Sequence, residues 1–258
     1  MPLLAPWLAY GAIGALGLLC GSFFGVLISR LYHGTGGMLL GRSQCDHCQH
    51  SLAWYELLPV VSYAWLGGRC RSCSAPLSVW YLGYELLTAG VFLLLYHRFG
   101  LSVTALPYWI SGIFALLLGL YDAQYMVVDR RISLPAIAWA AVFLVFWSGL
   151  PWQMGLLGGG IGAGFYALQY GLSRGRWVGE GDIDLGLYMG LSLGYPVILA
   201  ALFGAYWVGF LAVIPLLLRP QRTRTTVPMG GFLMLSYLVM LCYGPQILAW
   251  YWGTVLGF

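Results

Sequence analysis

Long apolar runs separated by short polar stretches organise this chain. They fall at about 8–29, 79–97, 103–121, 133–150, 154–173, 183–194, 197–218 and 231–256. Most approach the roughly 20 residues a helix needs to cross a bilayer. The sixth is short and ends at Gly194-Tyr195-Pro196, which marks a partial or tilted span. The pattern predicts an all-α polytopic membrane protein of about eight transmembrane helices. One polar stretch is long enough to stand as a separate module. The expected organisation is therefore a first transmembrane helix over 1–29, an insert over 30–78, and a multi-helix membrane domain over 79–258.

Composition supports that reading and adds an orientation. The chain is 60% hydrophobic and 8% charged, whereas a soluble domain carries about a quarter charged residues. All twelve basic residues are arginines. With eight spans, the loops after the first, third, fifth and seventh hold Arg30, Arg42, Arg69, Arg71, Arg130, Arg131, Arg174, Arg176, Arg219, Arg222 and Arg224. Only Arg98 falls on the other side. That asymmetry places the arginine-bearing loops, the insert included, in the cytoplasm and both termini opposite. The first apolar run lacks a basic region before it and continues to Ser29, so it reads as a retained span and not a cleaved signal. Leu18-Leu19-Cys20 lacks the small residue of a lipoprotein site. The glycines at 158–160, 162 and 164 suit close helix packing, and with no lysine following them a nucleotide loop is not indicated. Membrane lipid is the expected environment, and nucleic acid is not an expected partner.

The insert carries Cys45-Asp46-His47-Cys48 and Cys70-Arg71-Ser72-Cys73. Two CxxC pairs fit a structural zinc site in which Cys45, Cys48, Cys70 and Cys73 complete a tetrahedron. An insert this small needs such a staple. CxxC pairs also serve thiol–disulfide exchange, but a cytoplasmic position argues against stable disulfides. His47 and His50 are alternative ligands. Cys20 and Cys242 lie in apolar runs and read as packing residues.

Two carboxylates carry the sharpest chemistry. Asp122 ends the third run as Leu120-Tyr121-Asp122, and Asp182 opens the sixth as Gly179-Glu180-Gly181-Asp182. Carboxylates at membrane depth are costly to keep ionised and default to functional candidates. Brought together, two can share one proton, as in aspartic proteases. Gly179 and Gly181 leave room for a substrate backbone or a close helix, and Glu180 is a candidate for substrate contact or a solvated loop acid. Asp129, beside Arg130 and Arg131, reads as a loop acid with local ion pairing. Asp184 adds a third carboxylate near Asp182. Glu85, inside the second run, reads as an interior acid.

The chain resembles the type IV prepilin peptidases, which process prepilins and the pseudopilins of type II secretion. The resemblance rests on GSFFGVLISRL, RSQCDHCQHSLAWYELLPVVSY, GGRCRSCSAPLS, YELLT, LYDAQYMVVDRRISLP and GEGDIDLGLYMGLSLG, in that order. It implies an inner-membrane endopeptidase acting at the cytoplasmic face, with Asp122 and Asp182 in the catalytic positions. The enzyme would remove a short basic leader, cutting after a glycine. Many members also methylate the new N-terminal amine with S-adenosylmethionine, a function associated with the amino-terminal half. Glu56 and Glu85 are then candidates for a methyl-transfer or a structural polar site. Departures from the family pattern concentrate in that half: Gly25 replaces an asparagine, Leu57-Leu58 interrupts WYENxP, and Val79-Trp80 replaces a basic pair. Two other classes remain open, a scaffold whose zinc module recruits partners and a membrane thiol oxidoreductase. Neither needs the aspartates.

Overall fold

The computed structural model describes residues 6–34, 43–45, 47–217 and 227–254. Arg42, Arg219, Arg222 and Arg224, counted in the charge asymmetry, lie outside them, as does Asp46. The chain divides into two compact units, Met1–Leu101 and Ser102–Phe258.

The first unit pairs two long apolar helices, α1 (Pro6–His33) and α3 (Val79–Phe99), around the insert, which holds a short turn at Trp54–Leu57 and α2 (Val61–Trp65). Small residues set the α1–α3 contact. A Cβ on Gly17 would fall 2.6 Å from the Ala89 Cα, one on Gly21 2.6 Å from the Glu85 Cα, and one on Gly25 2.7 Å from the Tyr84 ring. The pairings run in opposite sense, so the helices are antiparallel. Without a hydrophobic driving force between helices in lipid, such backbone approach supplies the packing energy. Tyr84 occupies the space that an asparagine at position 25 would need.

The second unit contains α4 (Leu106–Tyr125), α5 (Arg130–Phe146), α6 (Trp152–Ser173), α7 (Glu180–Leu193), α8 (Val197–Leu217) and α9 (Met229–Thr254). Each predicted apolar segment is helical over most of its described residues. Among the described residues, five helices are long and apolar enough to cross a membrane: α1, α3, α4, α8 and α9. The other three explain why the count of eight is not reached on length and composition. At about 1.5 Å per residue, the 14 residues of α7 fall short of a hydrocarbon core about 30 Å thick. The 17 residues of α5 also fall short, and the glycines of α6 dilute its hydropathy.

Burial accounts for the shortness of α7. It packs against α5, α6, α8 and α9, and Leu185, Tyr188, Met189, Leu191 and Leu193 are all buried. Hydrogen bonds tie the surrounding helices together: Tyr188 Oη donates to the Ser111 carbonyl at 2.6 Å, Trp139 Nε1 to Ser111 Oγ at 2.9 Å, and Ser236 Oγ to the Ala201 carbonyl at 2.7 Å. In an apolar environment such groups must find partners within the bundle.

Candidate functional site

The second unit brings the two aspartates together. Asp122 sits one turn before the end of α4, where Met126 turns the chain in left-handed conformation with φ 56°. Asp182 is the third residue of α7, behind the N-cap Gly179. Both are buried, at 6% and 8% exposure, and the charge of Asp182 acts on Asp122. Leu185, one turn beyond Asp182, and Asp122 both crowd Gly230: a Cβ there would fall 2.9 Å from Leu185 Cδ1 and 2.7 Å from Asp122 Cγ.

Each carboxylate meets a backbone donor at a helix N-terminus. The Gly231 N–H, in the first turn of α9, donates to Asp122 Oδ2 at 3.0 Å. The Gly179 N–H donates to Asp182 Oδ2 at 2.9 Å. The positive ends of α9 and α7 therefore favour a negative charge at this site, against the desolvation that burial imposes. Each bond leaves one carboxylate oxygen, Oδ1, outside it.

Neighbouring acids are occupied structurally. Asp129 caps α5, accepting from the Arg131 N–H at 2.8 Å and from its guanidinium, and from Tyr121 Oη at 3.2 Å. The Arg131 guanidinium holds the Asp129 carboxyl below the usual aspartate range. Asp184 accepts from Ser133 Oγ on α5 at 2.8 Å, so the third acid is directed to a helix contact. Glu180 is exposed, pairing with Arg130 at 3.4 Å and accepting from Tyr170 Oη at 3.0 Å. Gly181 is required by Val128, whose side chain occupies the place of a Cβ, whereas a Cβ on Gly179 meets nothing closer than 3.9 Å. The Gly230-Gly231 pair was not singled out in the sequence. Its signal there is a Pro-Met-Gly-Gly run opening the last apolar segment.

In the first unit the four cysteines converge. Their sulfurs lie within 4.8 Å of one another and could hold one metal ion. Cys45–Cys73 and Cys48–Cys70 sulfurs are each 3.9 Å apart. The two loops repeat one design. Cys45 N–H donates to the His50 carbonyl and Gln49 N–H to that of Cys45; Cys70 N–H donates to the Ala75 carbonyl and Ser74 N–H to that of Cys70. Gln49 and Ser74 both take positive φ, 57° and 58°. Backbone N–H groups of Cys73 and Ser72 lower the Cys70 thiol, while desolvation and the facing sulfurs raise Cys73, so the thiols titrate as one cluster.

A cavity of about 550 Å³ lies in the same unit, lined by Arg30, Glu56, Tyr81 and Glu85 among others. Glu85 Oε2 accepts from the Val60 N–H at 2.7 Å. Val60 itself has φ 62°, a strained position for a β-branched residue. Glu56 Oε2 accepts from the Ala53 N–H at 2.8 Å, capping the turn it belongs to.

The fold and site define a multi-pass helical membrane protein with a paired-carboxylate centre and a four-cysteine insert. Residues 15–99 match the family model of the bacterial peptidase A24 N-terminal domain, and residues 109–214 that of the type IV leader peptidase family. The chain belongs to the type IV leader peptidase family and is a protease. It is 29% identical over 245 residues to the prepilin leader peptidase/N-methyltransferase of Bacillus subtilis, covering 91% of this chain and 97% of that one. Its counterpart from Aeromonas hydrophila is 27% identical over 293 residues, with 95% and 94% covered. That of Pseudomonas aeruginosa is 28% identical over 280 residues, with 90% and 89% covered. No solved structure matches.

Proposed function

We propose that the protein is an aspartic endopeptidase that removes the basic leader of prepilins or pseudopilins at the cytoplasmic face of the inner membrane, using Asp122 and Asp182. The observation that carries this reading is the convergence of two buried carboxylates from separate helices, each with a backbone N–H on one oxygen. The ionised aspartate takes a proton from water as its oxygen attacks the scissile carbonyl. The protonated one donates a hydrogen bond to the carbonyl oxygen, and the leaving amine then takes up a proton. The arginine distribution supports the cytoplasmic face, and the exposed Glu180 offers a carboxylate to the leader's positive charge. The test is to incubate purified protein with a synthetic prepilin and follow its mass. Loss of the leader is the expected result, and an unchanged substrate counts against the reading.

The cysteine cluster supports zinc. Zn–S bonds of about 2.3 Å put tetrahedral sulfurs roughly 3.8 Å apart, and the Cys45–Cys73 and Cys48–Cys70 pairs are at 3.9 Å. Cys70→Ser is expected to lose the metal, measured by elemental analysis, and to open the insert to limited proteolysis. Unchanged metal content would argue against the four-sulfur site.

Methylation has its own support. The 550 Å³ cavity is within the usual range for small-ligand sites. Glu56 and Glu85 offer carboxylate acceptors there, and Arg30 a cation. S-adenosylmethionine, when bound, supplies an electrophilic methyl group; these residues would hold its hydroxyl, amine and carboxylate groups. Glu85→Gln preserves the shape but loses the charge. It is expected to reduce the methyl increment about tenfold, the scale of one lost charge-assisted hydrogen bond, while leader removal continues. Equal loss of both activities would point to a structural role for Glu85.

A further inference from the structure

The insert exposes an aromatic face that neither the metal site nor the cavity explains. Trp65 is 86% exposed and Trp54 76%, with Tyr55, Leu57, Leu58 and Val61 also exposed. Val61 and Trp65 stand one turn apart on α2, so they share a face. Tyr55, Leu58, Val61, Trp65 and Arg71 border an apolar recess of about 430 Å³. Exposed apolar groups this closely grouped mark an interaction surface.

Three observations identify what covers it. First, the insert is held at both ends by helices long enough to span a membrane, α1 and α3. Their antiparallel contact, from Gly17–Ala89 to Gly25–Tyr84, makes the chain leave and return at the same end of the pair. The insert therefore sits at the membrane surface by connection alone. Second, the apolar character is continuous with a span. Val79 and Trp80, the first two residues of α3, are exposed as well. Third, the chemistry is that of the headgroup layer. Tryptophan and tyrosine concentrate there because each joins an apolar body to a polar tip. Arg71 places its guanidinium 5.6 Å from the Tyr55 ring centroid and donates to Tyr55 Oη at 3.0 Å, setting a cation within the aromatic face where anionic headgroups would lie.

We propose that Trp54, Leu58, Val61 and Trp65, with Arg71 beside them, seat the insert on the bilayer interface. The metal site then stiffens a module whose aromatic side rests on lipid, and this fixes the insert's tilt relative to α1 and α3. An extended protein substrate is the competing occupant of the same recess.

The test uses the full chain in nanodiscs of phosphatidylethanolamine and phosphatidylglycerol. These contain a phospholipid bearing a diazirine on a carbon near its headgroup. After irradiation, mass spectrometry maps the adducts. Adducts on the 53–66 peptide as well as on α1 and α3 are expected. In Trp54→Ser/Trp65→Ser the 53–66 adducts should fall to background, while bound metal and helical content stay unchanged. Adducts on α1 and α3 with none on 53–66 would overturn the proposal. So would loss of the 53–66 adducts on adding an uncleavable prepilin, which would make the recess a substrate cradle. Should the double variant lose metal or helix, labelling of the unsubstituted chain decides by itself.

Discussion

Asp122→Asn and Asp182→Asn should each abolish leader removal, lowering kcat by about a thousandfold or more, while the protein still folds. General acid–base groups contribute about 10²–10⁴-fold, and members of a unit fail together, so the double variant should be little worse than either single one. Asparagine keeps the shape and an acceptor oxygen for the Gly231 or Gly179 N–H, but it cannot take a proton from water. The fold is therefore preserved while the chemistry is lost. Asp122→Ala should also destabilise the protein by about 1 kcal/mol, because it removes the acceptor of the half-buried Gly231 N–H. Asp129→Asn is the comparison. That side chain caps α5 and holds Arg131, so the variant should lose some stability but retain cleavage within a few-fold. The measurement is leader release by mass spectrometry, with thermal unfolding alongside. Full cleavage by either asparagine variant would remove that residue from the mechanism.

The sequence exposed the parts of this site that break a local rule. Asp122 and Asp182 interrupt apolar runs, and the cysteines form two spaced pairs, so each announces itself within a few residues. What stayed hidden depends on contacts between distant segments. Gly231 reaches Asp122 across 109 positions, and nothing near either residue foretells the pairing. Asp184 read as a third carboxylate beside the site because it lies two positions from Asp182. Helical geometry turns positions i and i+2 to different faces, and Ser133 on α5 takes the Asp184 carboxylate. The span count was limited in the same way. Periodicity located α5, α6 and α7, but their depth in a membrane depends on what surrounds them. A helix enclosed by others needs neither the length nor the hydropathy of one facing lipid.

That enclosure gives the second large effect. Gly162→Ala and Gly186→Ala should each be strongly destabilising and should lose most cleavage. α6 and α7 meet backbone to backbone at a reciprocal pair of glycines: a Cβ on Gly162 would run into the Gly186 carbonyl, and one on Gly186 into the Gly162 carbonyl. The same exchange recurs one turn along between Gly158 and Gly190. No flexible side chain can yield there, so the added methyl must push the helices apart. Overpacking of this kind costs about 1–3 kcal/mol and sometimes more. The catalytic cost is separate, because Asp182 rides on the first turn of α7. A displacement of about 1 Å at a reacting group can cost about a hundredfold in rate. Gly160 and Gly164 lie on the same helix, but a Cβ at either meets nothing within 4 Å. Alanine at those positions should be neutral or stabilise α6 by up to about 1 kcal/mol through helix propensity. Thermal unfolding and cleavage assays on the four single variants would separate the two faces. If Gly162→Ala behaves like Gly164→Ala in both, the glycine contact does not hold Asp182 in place.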